Sequence, residues 1–162
     1  VEPSLIRVEA DEATYNLHIM IRYEIEKRLI SGELEVDDLP DAWDDMYEEF
    51  LGVRAPSRAL GVLQDIHWSM GAFGYFPTYT LGNLYAAQLL TAARKDMPDH
   101  DENMRRGEFG PLLAWMRRRI HQRGSILKPA DLVEEVTGSP PSPDAFVDYL
   151  HDKVKRLYGV TS

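Results

Sequence analysis

The sequence has 162 residues, enough for one domain with a buried core, and its 44% hydrophobic and 28% charged residues are typical of an ordered globular chain. Its formal net charge of -9 argues against nucleic acid as a partner, because phosphate binding requires a basic surface. No apolar run is long enough to cross a bilayer, so we expect no membrane partner either.

The start of the chain and its lack of cysteine bear on origin and location. Val1 is not a natural start residue, so we expect a piece of a longer protein. The opening residues lack the basic and apolar regions of a signal peptide. The absence of cysteine excludes disulfides and cysteine zinc sites and fits a reducing cytoplasm, which is the predicted location.

The first predicted element is a helix over residues 12–31. Asp11 has the side chain of an N-cap, and Gly32 ends the helix. Apolar residues at four-residue spacing predict the face that packs on the core: Leu17, Ile21, Ile25 and Leu29. His18 lies beside this face and is predicted to be a packed histidine rather than a metal ligand.

Further helices are predicted along the rest of the chain. Asp41 and Ser57 are expected to cap helices that run to residues 51 and 68, and other helices are predicted over 77–95, 97–106, 109–123, 128–137 and 143–158. Gly82 and Ala86 give one of them a flat strip for close packing. No strand pattern competes, so the predicted fold class is all-α, a helical bundle forming a single domain over 1–162.

The stretch 61–79 contains the least generic residues of the chain. Within a few positions it collects hydrogen-bonding groups and a large ring: Gln64, Asp65, His67 and Trp68. A turn with Gly71, Gly74 and Pro77 follows and carries four aromatic residues. Aromatic residues in such a turn either fill a core or line a pocket, and we interpret the stretch as a pocket wall.

The histidines do not predict a metal site. They lie at positions 18, 67, 100, 121 and 151, and none belongs to an HExxH motif, so we expect no metal or other cofactor in this chain. His100 and His151 lie in acidic, polar stretches and are expected to be solvated. His67 has a carboxylate and an indole close in sequence, so a functional and a purely structural role both remain open.

Arg7 and two tyrosines are further candidates for a binding site. Arg7 precedes a helix N-terminus and could bind a carboxylate, although the spacing alone favours a local ion pair with Glu9, Asp11 or Glu12. Tyr75 and Tyr79 could present two phenols on one side of the turn as hydrogen-bond donors, or could be core aromatics.

Two segments resemble the signature motifs of a known family. IRVEADE at 6–12 and GVLQDIHW at 61–68 look like the IRxxAD and GxxQDxHW motifs of the carboxypeptidase Taq family of zinc metallocarboxypeptidases. The flanking sequence, including GYFPTYTLGNLYAAQL and SPDAFVDYLHDKVKRLYG, is similar to the C-terminal third of those enzymes. The resemblance thus extends over essentially the whole chain.

The resemblance implies a C-terminal fragment of a larger, mostly helical, homodimeric enzyme that removes C-terminal amino acids from peptides. In this family the HExxH histidines and a glutamate of an HESQ motif hold zinc, and this sequence contains neither motif. The fragment is therefore predicted to be inactive alone.

The family motifs also imply roles for individual residues. Arg7 would grip the terminal carboxylate of the peptide, and the groove would be lined by Gln64, Asp65 and His67. His67 would be a candidate donor to the transition state, and the similarity of the flanking sequence, not a signature motif, adds Tyr75 and Tyr79 as further candidates.

The alternative is a stand-alone helical binding or regulatory module derived from the same family. Truncation would leave apolar faces exposed on helices that normally pack on absent neighbours. We therefore expect the fragment to self-associate as a homo-oligomer or to fill the gap by rearranging.

Overall fold

Seven α-helices joined by turns form the part of the chain that the computed structural model describes, residues 2–159. No β-strand occurs within these residues, which confirms the all-α prediction. The helices are α1 (Tyr15–Ser31), α2 (Leu39–Leu51), α3 (Pro77–Asp96), α4 (His100–Arg106), α5 (Gly110–Arg119), α6 (Pro129–Thr137) and α7 (Asp144–Tyr158), with short 3-10 helices at Arg7–Glu9, Val36–Asp38, Trp68–Met70 and His121–Arg123.

The chain divides into two compact units, Val1–Leu81 and Gly82–Ser162, and the division falls inside α3. The assignment of 1–162 to a single domain stays a prediction. Over residues 2–159, every helix is too short or too polar to traverse a bilayer.

Helix α1 of the first unit begins three residues later than predicted, at Tyr15. The carboxylate of Asp11 accepts the backbone N–H groups of Ala13 and Thr14, both at 2.9 Å, and thus closes a turn ahead of the regular helix. Hydrogen bonds from these orphan N–H groups to an acidic side chain stabilise a helix start. The helix ends at Gly32, whose φ of 76° suits a residue without a Cβ.

The core of the first unit lies between α1 and α2. Ile21 and Ile25 are fully buried against Trp43 and Tyr47 of α2. Leu17 and Leu29 pack at the edge of the same cluster. The predicted apolar face of α1 is therefore confirmed.

The helix predicted from Ser57 to Trp68 is wrong. The structure has turns there and a short 3-10 helix that starts only at Trp68. Long-range hydrogen bonds explain the difference, because the side chains of Gln64 and Asp65 bond to residues more than 40 positions away. The chain also folds back locally, so that an added Cβ at Gly61 would lie 3.0 Å from the Cβ of Ala55. Tertiary contacts thus decide the backbone of this segment.

The second unit has a small apolar centre. Ala93 of α3, Trp115 of α5 and Val136 of α6 form its buried cluster. Gln88 fixes the proline-rich connection before α7: its Nε2 donates to the Pro140 carbonyl at 3.0 Å and its Oε1 accepts the Ser142 N–H at 3.1 Å. Helix α7 itself has no fully buried residue.

Two expectations for this second unit are wrong. An added Cβ at Gly82 would meet no described atom within 4 Å, so the close packing predicted at Gly82 and Ala86 is not found among residues 2–159. His100, at the start of α4, is buried at 6% exposure instead of solvated, and its Nδ1 lies 2.8 Å from the carboxylate of Asp101.

Candidate functional site

Asp65 is the centre of a cluster in the first unit where two arginines meet one carboxylate. Arg7 Nη2 donates to Asp65 Oδ1 at 2.7 Å, and Arg7 Nε lies 3.2 and 3.3 Å from the two carboxylate oxygens. Arg22 Nε donates to Oδ2 at 2.8 Å, and its Nη2 lies 2.7 Å from the same oxygen. Both guanidinium groups thus bind Asp65 through their Nε and Nη2 edges, with the charge-assisted geometry that makes arginine pairs strong.

Burial strengthens the interactions in this cluster. The side chains of Arg7, Arg22 and Asp65 are 8%, 0% and 12% exposed. Burial by itself would raise the pKa of Asp65, but the hydrogen bonds and charges of the two arginines outweigh it and hold this pKa below its usual value. Two guanidinium groups and one carboxylate leave the three side chains with one net positive charge.

Gln64 connects the same two arginines through its amide. Its Oε1 accepts the backbone N–H of Arg7 and the Nη2 of Arg22, each at 2.9 Å. Its Nε2 donates to the carbonyl oxygens of Leu5 at 2.9 Å and Leu60 at 3.1 Å. Because an amide side chain has two donors and two acceptor lone pairs, Gln64 is fully used in holding the 57–68 segment against residues 5–7.

Helix α1 provides the polar side chains on which the cluster rests. Arg22 Nη1 donates to the His18 carbonyl oxygen at 2.8 Å and to Tyr47 Oη at 3.0 Å, and Tyr47 Oη also lies 3.0 Å from His18 Nδ1. Burial, followed by the charges of Arg22 and Arg7, lowers the pKa of His18 to about 4. The imidazole is therefore neutral at neutral pH.

One turn further along α1, Glu26 holds the glycine-rich turn. Its carboxylate accepts Trp68 Nε1 at 2.8 Å and the backbone N–H of Gly74 at 3.1 Å. The Trp68 indole meets Trp43 edge-on, with 5.9 Å between ring centroids. Glu26 is 4% exposed, so these two hydrogen bonds satisfy a buried charge.

His67 lies among the aromatic side chains of the same turn. Its Nε2 is 3.1 Å from Tyr79 Oη, and its ring centroid is 4.3 Å from that of Phe76 and 5.6 Å from that of Tyr75. His67 Nδ1 is 3.9 Å from Asp65 Oδ1 and has no hydrogen-bond partner among the described residues. The imidazole is therefore oriented by Tyr79, with the carboxylate nearby.

Arg7 and His67 share two aromatic neighbours. The Arg7 guanidinium carbon is 5.2 Å from the Tyr79 ring centroid and 5.7 Å from that of Phe76, both of which also contact the His67 ring. Tyr75 is half exposed beside them. The structure thus brings together all six candidate residues of the sequence analysis: Arg7, Gln64, Asp65, His67, Tyr75 and Tyr79.

Comparison with known proteins matches this chain to a family. The family described as Carboxypeptidase Taq (M32) metallopeptidase matches residues 1–154 of the chain. The chain belongs to the carboxypeptidase Taq (M32) family. The resemblance of the IRxxAD and GxxQDxHW segments is therefore confirmed.

Relatives from several organisms are similar over nearly the whole chain. "Thermostable carboxypeptidase 1" of Thermus thermophilus is 55% identical over 159 residues, covering 98% of this chain, and "Carboxypeptidase 1" of Bacillus subtilis is 47% identical over 157 residues, covering 97%. A crystal structure of an M32 carboxypeptidase from Deinococcus radiodurans R1 matches 99% of this chain with a TM-score of 0.95 and 42% identity. The chain spans only about a third of each: 31% of the first two and 32% of the third.

A metallopeptidase family implies a metal site. Among residues 2–159 no three His, Cys, Asp or Glu side chains are arranged to hold a metal ion. Asp65 is held by two arginines, and His67 Nε2 faces Tyr79. The described residues therefore do not fit a metal site, and the side chains of the cluster can bind and orient other groups.

Sequence reasoning missed three residues that support this site. Arg22, Glu26 and Tyr47 do not belong to either signature motif, yet they bond directly to the 61–79 stretch or to its partners. A signal was present: His18, Arg22 and Glu26 repeat at four-residue spacing and form a polar stripe beside the apolar one. The prediction for this helix rests on the apolar stripe alone.

Proposed function

We propose that this chain is the C-terminal substrate-binding portion of a zinc-dependent metallocarboxypeptidase that releases C-terminal amino acids from peptides. Membership of the carboxypeptidase Taq (M32) family supports the reaction class, and the coverage of about a third of each relative supports the assignment as a portion. Because HExxH and HESQ are absent from the sequence, we expect the chain to be inactive by itself. The homo-oligomeric state and the cytoplasmic location stay predictions.

The observation that carries this proposal is the hydrogen bonding of Arg7. A guanidinium has five N–H donors. Asp65 takes the Nε donor and one on Nη2, and Tyr15 Oη takes one on Nη1 at 3.0 Å. One donor on each terminal nitrogen has no acceptor among residues 2–159, and two such donors are what a bidentate carboxylate needs.

Charge and exposure support the same role for Arg7. The net positive charge of Arg7, Arg22 and Asp65 would be neutralised by one incoming carboxylate. The Arg7 side chain is 8% exposed, so a ligand would reach only the outer edge of the guanidinium. That edge is bordered by the Tyr79 ring. A site of this kind selects a peptide terminus over an internal peptide bond, because only the terminus carries the carboxylate.

The remaining candidates would act on the peptide next to its terminus. In this proposal Tyr75, Tyr79 and His67 are the candidate hydrogen-bond donors to the reacting carbonyl in the transition state. Tyr79 and His67 are bonded to each other, so each fixes the orientation of the other, and when His67 Nε2–H donates to Tyr79 Oη the phenol keeps its own proton for the carbonyl. Gln64 and Asp65 contribute by holding Arg7, since their polar atoms are occupied by protein partners.

The binding step can be tested on this chain with acetyl-Ala-Ala and its C-terminal amide as probes, by NMR titration. The free acid should bind at least about tenfold more tightly than the amide, because charge-assisted hydrogen bonds contribute about 1.5–3 kcal/mol. Arg7→Met should abolish this preference. Arg54→Met, at an exposed arginine that also bonds two acidic residues, should keep it.

Equal affinity of the unmodified chain for the acid and the amide would contradict the carboxylate site. Inactivity has its own test: with added zinc, the chain should release no alanine from acetyl-Ala-Ala. Release that a chelator stops would show that this portion is sufficient for hydrolysis.

A further inference from the structure

Arg22 differs from Arg7 in that its whole hydrogen-bonding capacity is used inside the protein. Its Nε donates to Asp65, and its Nη1 donates to the His18 carbonyl and to Tyr47 Oη. Its Nη2 donates to Gln64 Oε1 at 2.9 Å and lies 2.7 Å from Asp65 Oδ2. Four acceptor atoms therefore surround the five donors, with Asp65 Oδ2 facing both Nε and Nη2, and the side chain is 0% exposed.

A residue with no free donor and no exposed surface cannot bind a ligand directly. Arg22 can nevertheless control one, since both of its partners in the 61–79 stretch also bond to Arg7. We propose that Arg22 is a positioning residue for the carboxylate site and fixes the Arg7 guanidinium through Gln64 and Asp65. This inference rests on the proposed role of Arg7 in binding the peptide terminus.

The first connection from Arg22 to Arg7 runs through the backbone. Gln64 Oε1 accepts both Arg22 Nη2 and the Arg7 backbone N–H, and Gln64 Nε2 holds the Leu5 carbonyl two residues earlier. Residues 5–7 precede α1, and the short 3-10 helix Arg7–Glu9 is the only regular structure that includes any of them. Their place is therefore set by the amide of Gln64, whose own orientation Arg22 fixes.

The second connection runs through the side chains. Arg7 binds Asp65 mainly through Oδ1, while Arg22 binds Oδ2. Because the two oxygens belong to one planar carboxylate, the direction of the Arg22 fork determines where the Oδ1 edge points. Arg7 binds along that edge, so the orientation of the edge also sets the direction of the two remaining N–H donors of Arg7.

The physical reason for placing Arg22 on α1 is rigidity. It lies in the middle of a helix of 17 residues and is bonded to the carbonyl oxygen of His18 one turn earlier. The 52–76 stretch has no α-helix of its own, so it has no internal means of holding Gln64 and Asp65 still. Only an arginine can reach several acceptors at fixed angles, whereas a lysine is a single point charge.

Arg22→Lys tests the proposal because it keeps the charge and removes the fork. With acetyl-Ala-Ala and its amide, the preference for the acid should fall from at least about tenfold to less than about threefold in this variant, since the Arg7 donors lose their common direction. Leu51→Val is the control for core stability: it removes a buried methylene from the apolar core of the same unit but leaves the hydrogen bonds of Arg22 to Gln64 and Asp65. It should keep the acid preference.

A measurement without ligand separates this inference from the proposed function. In the unmodified chain the Arg7 Nε–H should give a protected NMR signal, because it is bonded to Asp65 and buried. Its hydrogen exchange should be at least about tenfold faster in Arg22→Lys and little changed in Leu51→Val. Gln64→Leu, which cuts only the backbone connection, should give an intermediate rate and remains informative if Arg22→Lys does not fold.

The outcomes are distinct. An Arg7 signal in Arg22→Lys or Gln64→Leu as protected as in the unmodified chain overturns the positioning role, whatever the ligand does. A loss of protection with no acid preference in the unmodified chain supports positioning and overturns the carboxylate site. Loss of the acid preference in Leu51→Val as well would show that general core stability, not the Arg22 fork, controls Arg7.

Discussion

Two carboxylates in this chain each bind two arginines, one in each unit, and they differ in burial. Asp65 of the first unit is 12% exposed, and its partners Arg7 and Arg22 are 8% and 0% exposed. Glu102 of the second unit is 45% exposed, and its partners Arg105 and Arg106 are 73% and 62% exposed. The distances are similar, at 2.7 Å and 2.6–2.8 Å.

The comparison shows that contact geometry does not by itself tell what an ion pair does. Glu102 pairs with residues three and four positions ahead on its own helix, where water and salt screen the charges. Asp65 joins segments that are 43 and 58 residues apart in sequence, in a site where removing one charge leaves others unpaired. The stability of the first unit therefore depends on the buried ion pairs of Asp65, whereas the ion pairs of Glu102 in the second unit lie on the surface.

The largest expected effect comes from removing each shared charge with an isosteric amide. Asp65→Asn should lower the free energy of unfolding by about 3–5 kcal/mol, because two buried guanidinium groups lose their counter-charge. Glu102→Gln should lower it by less than about 1 kcal/mol. Urea unfolding followed by circular dichroism measures both, and similar losses in the two variants would remove the distinction between the units.

The next effect is a pH dependence that arises from a buried histidine of the first unit. His18 has a pKa of about 4 in the folded chain, against 6.5 for the free side chain, because burial and the charges of Arg22 and Arg7 oppose protonation. The unfolded chain therefore binds this proton first as the pH falls. The stability that the neutral ring contributes is complete above pH 6.5 and is lost progressively down to about pH 4.

His18→Asn isolates this contribution, since asparagine can retain a polar group near Nδ1 but does not titrate. Over that pH range the unmodified chain should lose up to about 3 kcal/mol more than the variant. His151→Asn, at an exposed position, should behave like the unmodified chain. Parallel pH profiles for the unmodified chain and His18→Asn would contradict the assignment of a buried, neutral ring.

The smallest of the three effects compares two glutamates of α1. Glu26→Gln should lower the free energy of unfolding by about 2 kcal/mol. The two carboxylate oxygens of Glu26 accept Trp68 Nε1 and the Gly74 N–H, and the amide of glutamine has only one oxygen to replace them. Near-ultraviolet circular dichroism should change as well, since Trp68 loses its fixed partner. Glu24→Gln, which affects only an exposed pair with Lys27, should produce neither change. Equal behaviour of the two variants would show that Glu26 does not hold the turn.

Most of the secondary structure could be predicted because its causes are local. The four-residue apolar spacing of α1 was visible as Leu17, Ile21, Ile25 and Leu29, and the structure packs all four against the core. Pro77 at the start of α3 and Gly52 at the end of α2 mark helix limits through their own backbone preferences. These features need no knowledge of distant residues.

The errors occur where distant residues decide. The segment 57–68 was predicted to be helical, but Arg22 and Arg7 draw Gln64 and Asp65 out of a helical geometry. His100 was predicted to be solvated because its neighbours in sequence are polar, although it is buried in the folded second unit. Neither outcome can be read from neighbouring residues.

By itself the sequence determined the helical class, the limits of most helices, the family through its two motifs, and the identity of the residues that gather around His67. Only the tertiary structure decided that Asp65 is shared between Arg7 and Arg22. It also decided that, among residues 2–159, Arg7 keeps two donors without an acceptor while Arg22 keeps none, and that α1 carries Arg22 and Glu26. The physical reason is that backbone preferences and apolar periodicity act over a few residues, whereas the pairing of buried charges depends on which side chains the fold brings within hydrogen-bond distance.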